Sequence, residues 1–195
     1  MVKGKKFAYI KQIFYLCHLM RKLNVLELNR LSVDDFKACE KIPLTVVLDD
    51  VRSMYNVGSV FRTCDAFRIE RVFLCGISAT PPHPEIHKTA LGAEDSVDWR
   101  YFGSALDAVR ELKAENYKVY GVEQVEGSKM LDDDWYEGDE RIAIVMGNEV
   151  KGVDQGVINE CDGCLEIPQF GTKHSLNVST AAGIVIWEVW QRMKK

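Results

Sequence analysis

The chain has 195 residues, 47% hydrophobic and 28% charged, with 25 basic against 29 acidic side chains and a net charge of −4. That length and composition suit one globular core, or one core with a small appendage, and exclude a disordered or fibrous chain. No apolar run reaches the roughly 18 residues of a membrane-spanning helix, and the acid excess counts against a nucleic-acid partner held by charge spread over the whole surface.

Charge is uneven along the chain. Residues 1–41 hold nine basic against four acidic residues, a net of +5 that leaves −9 for the remainder. This segment reads either as a solvated basic arm or as an arm that tracks a phosphate backbone, set apart from a domain over 42–195. Lys11 and Gln12 interrupt its apolar patch and no small-residue cleavage site follows, so it does not read as a secretion signal. Six cysteines in a chain with this much core need no disulfide framework, and a cytoplasmic setting is expected. Cys161 and Cys164 form a C-x-x-C, but His18, His83, His87 and His174 supply no second ligand pair at zinc spacing, so no metal is expected. A redox pair and two small residues buried beside a strand both remain open.

From residue 44 onward β-branched runs alternate with helical patterns. Strands are predicted at 44–49, 71–76, 97–102, 118–123, 142–147 and 164–168, and helices at 56–67, 104–115, after Gly152, and from Leu176 onward. This alternation predicts an α/β fold with a parallel sheet flanked by helices, and runs such as "IAIVM" fit burial on both faces. Residues 77–96, with three prolines, read as a long connection. Ligands of such sheets bind beyond the carboxyl ends of the strands, so the loops after 49, 123, 147 and 168 are the places to look for chemistry.

The helix "NVGSVFRTCDAF" has a buried stripe of Val57, Val60, Phe61, Cys64 and Phe67, with Asn56 at the expected N-cap. Arg62 lies off the stripe, one turn beyond Gly58. A helix-interior glycine costs about 1 kcal/mol relative to alanine and wants a reason. Letting the guanidinium pass toward the free N–H groups of the helix start, to hold a phosphate, would be one. A surface pair with Asp65 is the alternative. Downstream, "IAIVMGNEVKGV" puts a glycine turn at a strand end without a dinucleotide or nucleoside-triphosphate fingerprint. In "IPQFGTKHSLNVSTAAG" Pro168 stops a strand, Ser175 is the expected cap of the last helix, and Asn177 is expected in its first turn.

Together these three segments, with "HKTALGAE" (87–94), resemble the SpoU/TrmH family of RNA ribose 2′-O-methyltransferases over about residues 44–190. Gln169 stands where methionine is common. The resemblance implies a C-terminal trefoil knot, which ordinary topology rules disfavour. It also implies an S-adenosyl-L-methionine cofactor, a tRNA or rRNA substrate, and a homodimer whose active site uses both subunits. Carried over by position, Asn56, Arg62, Glu149, Ser175 and Asn177 form the catalytic set, and Glu123, Gly147, Ile167 and Leu176 lie along the cofactor. A guanidinium is not normally deprotonated in proteins, so Arg62 is read as a phosphate and oxyanion holder rather than a base. A catalytically idle RNA-binding or ribosome-assembly relative is the alternative, and retention of the whole catalytic set argues against it.

Overall fold

The structure, a computed structural model, describes residues 21–194, and the chain divides into two compact units between Ser32 and Val33. Residues 1–20, with Lys3, Lys5, Lys6, Lys11, Cys17 and His18, lie outside the described residues. In the first unit a 3-10 helix spans Val25–Leu28. Asn24 caps it reciprocally with Glu27, which also pairs with Arg21.

The second unit carries helix α1 (Val33–Ala38), β1 (Ile42–Asp49), α2 (Met54–Ala66), β2 (Ile69–Cys75), α3 (Pro84–Ala90), α4 (Ala93–Ser96) and β3 (Asp98–Phe102). It continues with α5 (Ala105–Ala114), β4 (Tyr117–Val122), β5 (Lys129–Met130), β6 (Arg141–Met146), α6 (Gln155–Glu160), β7 (Gly163–Glu166) and α7 (Val178–Met193). Among the described residues the seven strands pair in the order β3-β2-β1-β6-β4-β7-β5, every pairing parallel.

Side-chain alternation along the strands explains why helices cover both faces. Val46, Leu48, Ile142, Ile144 and Met146 join one core with α2, α3, α4 and α7. Val47, Ala143 and Val145 point the other way, into a second core with α5 and α6. The order in which strands are added reverses beside β1: β2 and β3 lie on one side, β6 and β4 on the other. Such a reversal opens a crevice at the carboxyl ends of the strands.

The expected α/β architecture is present, with two differences. Residues 77–96 are not one long loop, because Pro84 opens α3 behind the capping side chain of His83, and α4 follows. The two-residue strand β5 carries too little pattern to have been read from the sequence. The glycine of α2 has a packing reason rather than the expected one. Gly58 is buried against α3, where an added Cβ would lie 2.2 Å from Thr89 Oγ1 and 2.3 Å from the Ile86 carbonyl oxygen. Gly58→Ala is therefore predicted to destabilise the fold by roughly 1–3 kcal/mol despite alanine's better helix propensity. A lowered urea midpoint that Thr89→Ala does not restore would bear this out, since the Ile86 carbonyl is backbone; an unchanged midpoint would refute it.

Candidate active site

Four loops meet at the carboxyl edge of the sheet, and one carboxylate joins two of them. Ser53, not Asn56, is the N-cap of α2, its hydroxyl accepting the Asn56 N–H at 3.3 Å. Asn56 was the expected cap; Ser53 takes the position because the helix begins a turn earlier than its apolar stripe. Asn56 thus lies inside the first turn with its side chain free for other work. The helix start, expected to hold a phosphate, already holds an anion. Glu149 accepts the backbone N–H groups of Arg52 and Ser53, each at 3.0 Å, and the Asn56 amide at 3.0 Å. Orphan N–H groups and the helix dipole favour a negative group there. Partial burial pushes the Glu149 carboxyl up, but these donors outweigh it and the net shift is downward from the ordinary 4.5.

Glu149 is carried by a tight turn after β6. Asn148 accepts the Val150 and Lys151 N–H groups through its side-chain oxygen, and donates its amide to the Asp50 carbonyl at 2.7 Å. Asn148 and Gly152 close the turn with reciprocal backbone bonds of 3.0 and 2.9 Å. A Cβ on Gly147 would lie 2.2 Å from the Gly152 carbonyl carbon, so only glycine lets the turn fold back on its own strand. Glu123 braces the same turn, accepting the Val153 N–H at 3.1 Å. Asn148 was not singled out from the sequence; an asparagine directly after a strand-end glycine is the signal that could have found it.

At the start of α7, Asn177 is the N-cap, accepting the N–H groups of Ser179 at 3.0 Å and Thr180 at 3.4 Å. Ser175 does not cap: the helix begins at Val178, and Ser175 is left exposed on the preceding loop. The Asn177 amide donates to Asn56 Oδ1 at 3.2 Å, which Ser179 Oγ also approaches at 3.4 Å. Because a carboxylate can only accept, Glu149 fixes the amide orientation of Asn56, and Asn56 in turn fixes that of Asn177. This chain of contacts borders an open cleft of about 670 Å³. Glu123, Gly147, Ile167, Ser175, Leu176 and Asn177 all line it. Its size is within the usual range for a cofactor site, and its mixture of apolar walls with strand-end backbone fits a flat heterocycle carrying a polar tail.

Arg62 is not brought to this cleft within the chain. It stands six residues beyond Asn56, about 9 Å along the helix, on an exposed face of α2, and lines neither this cleft nor its neighbouring hollow. It makes no hydrogen bond or ion pair among the described residues. Asp65, its alternative partner, instead accepts the Ser96 hydroxyl at 2.7 Å. Cys161 and Cys164 both approach Gly121, and burial pushes the Cys161 thiol up to about 12, which suits packing rather than redox exchange. Among the described residues no three His, Cys, Asp or Glu side chains group to hold a metal ion.

Residues 43–187 match the model of the SpoU rRNA methylase family. A tRNA (guanosine(18)-2′-O)-methyltransferase of Thermus thermophilus is 29% identical over 171 residues, covering 86% of this chain and 85% of the relative. A Staphylococcus haemolyticus protein assigned to the TrmH family of tRNA/rRNA methyltransferases is 29% identical over 153 residues, covering 78% of this chain and 60% of the relative. The chain thus spans about 60% of the length of such curated relatives. A solved Porphyromonas gingivalis structure assigned to the TrmH family of RNA methyltransferases superposes with a TM-score of 0.68 at 30% identity, covering 79% of this chain and 62% of that one. The fold is shared with an AdoMet-bound rRNA methyltransferase of Sinorhizobium meliloti, with a TM-score of 0.72 at 24% identity over 82% of this chain and 61% of that one.

The Glu149 clamp has a pH signature. A carboxyl whose folded-state value lies below its ordinary value stabilises the fold above that ordinary value and loses the effect as pH falls through the folded value. Glu149→Gln is predicted to lower stability at pH 7 by roughly 1 kcal/mol, a figure already reduced for solvent screening. The gap between the two proteins should close below the ordinary 4.5. Denaturant midpoints from pH 7 to pH 3 test this; a constant gap would contradict it.

Proposed function

The chain belongs to the SpoU methylase family, and from that premise we propose that it is an enzyme methylating a ribose 2′-hydroxyl of tRNA or rRNA in the cytoplasm. S-adenosyl-L-methionine is its proposed cofactor, a knotted C-terminal segment its proposed topology and a homodimer its proposed working form. The observation that carries this reading is the bonded run from Glu149 through Asn56 to Asn177 along the wall of the cleft. Bound there, the cofactor supplies an electrophilic methyl on a sulfonium centre. A nucleophilic oxygen must then be held in line with that methyl. Gly147, Ile167 and Leu176 would hold the cofactor, and the Ser175 hydroxyl and the remaining Asn177 N–H are left to orient the sugar hydroxyl. Glu149 is a poor base, because three donors hold its charge and its carboxyl is shifted downward.

Among the described residues the cleft is lined by one cation, Lys151 on the turn after β6, and by no guanidinium fork to grip the phosphate beside Ser175 and Asn177 and steady the developing oxyanion. We assign that role to Arg62 of a second copy, a bidentate holder of phosphate. What supports a second copy is the exposed apolar strip of α7, where Ile184 is 39% and Trp187 45% accessible and Trp187 stacks on Trp190 beside Phe67. Residues 1–41, basic and set apart by composition, are proposed to track the RNA backbone.

Labelled methyl should pass from S-adenosylmethionine to bulk tRNA or rRNA; cofactor binding with no transfer to any RNA would leave an idle RNA-binding relative instead. Arg62→Ala and Ser175→Ala should each abolish transfer. Dissociated and re-paired together, they should recover about a quarter of wild-type activity, since half of randomly formed dimers are mixed and each mixed dimer holds one intact site. No recovery would show that both residues act within one chain.

A further inference from the structure

Beyond residue 41 the chain is acidic, but its cations are not neutralised evenly. Arg71 pairs with Glu115, Arg100 with Glu111, Arg110 with Glu160 and Arg141 with Glu70, all on α5 or at its end, on α6, or along β2, β3 and β6. At the carboxyl edge of the sheet the pattern differs. Among the described residues the side chains of Arg52, Lys151 and Lys173 make no ion pair or hydrogen bond. Lys151 lines the cleft and, with Arg52, an adjoining hollow of about 380 Å³ on the other side of the Asn148–Gly152 turn. Asp49, Asp50 and Asp154 also line that hollow, their carboxylates accepting the N–H groups of Asp154, Ile77 and Gly156, so a phosphate is held at Arg52 and Lys151 and away from the acids.

Phe170 stands on the loop that forms the opposite rim. It follows Gln169, which lines the cleft, and is 98% accessible, the most exposed of the large apolar side chains described. The loop itself is anchored. It leaves β7 through Pro168, and the Gln124 side-chain amide donates to the His174 carbonyl at 2.9 Å. An aromatic ring held in water on a loop that also carries the unpaired Lys173 matches how single-stranded nucleic acid is bound, by stacking on rings and charge on phosphates.

Resting on the RNA methyltransferase reading above, we infer that this rim is an RNA track: Phe170 stacks on a nucleobase adjoining the methylated nucleotide, and Arg52, Lys151 and Lys173 hold its phosphates. The base must be unpaired to reach the ring, so the target lies in a loop or bulge rather than in a continuous duplex.

Binding of bulk tRNA and of fragmented rRNA, measured with methyl transfer on the same samples, tests the inference separately from the reading beneath it. Phe170→Ala should weaken RNA binding and raise the KM for RNA by roughly 5- to 150-fold, with kcat and cofactor affinity unchanged. Phe170→Trp should restore both, and Phe170→Leu, which keeps apolar bulk without a flat ring, should not. Lys151→Gln with Lys173→Gln should flatten the slope of log Kd against log salt by about 1.4. Wild-type RNA affinity in Phe170→Ala would overturn the inference, as would a loss that follows a change in oligomeric mass. Failure of the wild-type protein to transfer methyl to any RNA would instead overturn the functional reading, whatever Phe170 does.

Discussion

The carboxylate of Glu149 sits at the start of α2, on the N–H groups of Arg52 and Ser53 that lead into the helix and have no helical partners. A phosphate could have occupied that position; a side chain does so instead, and the substitution changes what the helix start is for. Glu149 ties the turn after β6 to the helix after β1, two segments almost a hundred residues apart in sequence. Because it accepts from Asn56 at the same time, the geometry of the cleft wall is set by a charge that belongs to the fold. An incoming ligand then meets donors already oriented, which is the arrangement that lowers a barrier without reorganisation during the reaction.

Holding that carboxylate in place requires a stiff turn. The Asn148 side chain spans the turn and reaches across to the Asp50 carbonyl, Gly147 permits the close backbone approach, and Glu123 braces Val153 from β4. Two of the residues expected along a cofactor, Gly147 and Glu123, are thus also residues that build the wall. Glu123 illustrates the difference: it lines the cleft, yet its carboxylate points at backbone N–H groups. The same economy leaves a gap, since among the described residues no arginine lines the cleft beside Ser175 and Asn177. The proposed pairing of copies would bring a helix-borne guanidinium to that gap from outside and leave the clamp undisturbed.

Much of this was legible in the residues. The alternation of apolar runs and helical stripes yielded the parallel sheet, and of the loops named as sites of chemistry those after 123, 147 and 168 line the cleft, while the one after 49 lines the adjoining hollow. What misled was local reasoning about capping and glycine. Asn56 and Ser175 are good cap residues, but so are Ser53 and Asn177, and tertiary demand decides between them: Asn56 is needed by Glu149, and Asn177 must reach Asn56. Gly58 was read along its own helix, toward Arg62. Its actual constraint comes from α3, a partner encoded in a stretch whose prolines mark a helix start rather than a loop. Partner choice across thirty residues is not carried by periodicity, so the error is one of tertiary packing.

The claim that one carboxylate governs the site can be read directly from the two asparagine side chains. Their amide N–H signals, followed by nuclear magnetic resonance through an acid titration together with the Glu149 carboxyl carbon, should move with a single shared midpoint below the ordinary 4.5. Asn56 and Asn177 signals that stay fixed while Glu149 titrates, or that move with separate midpoints, would contradict the account.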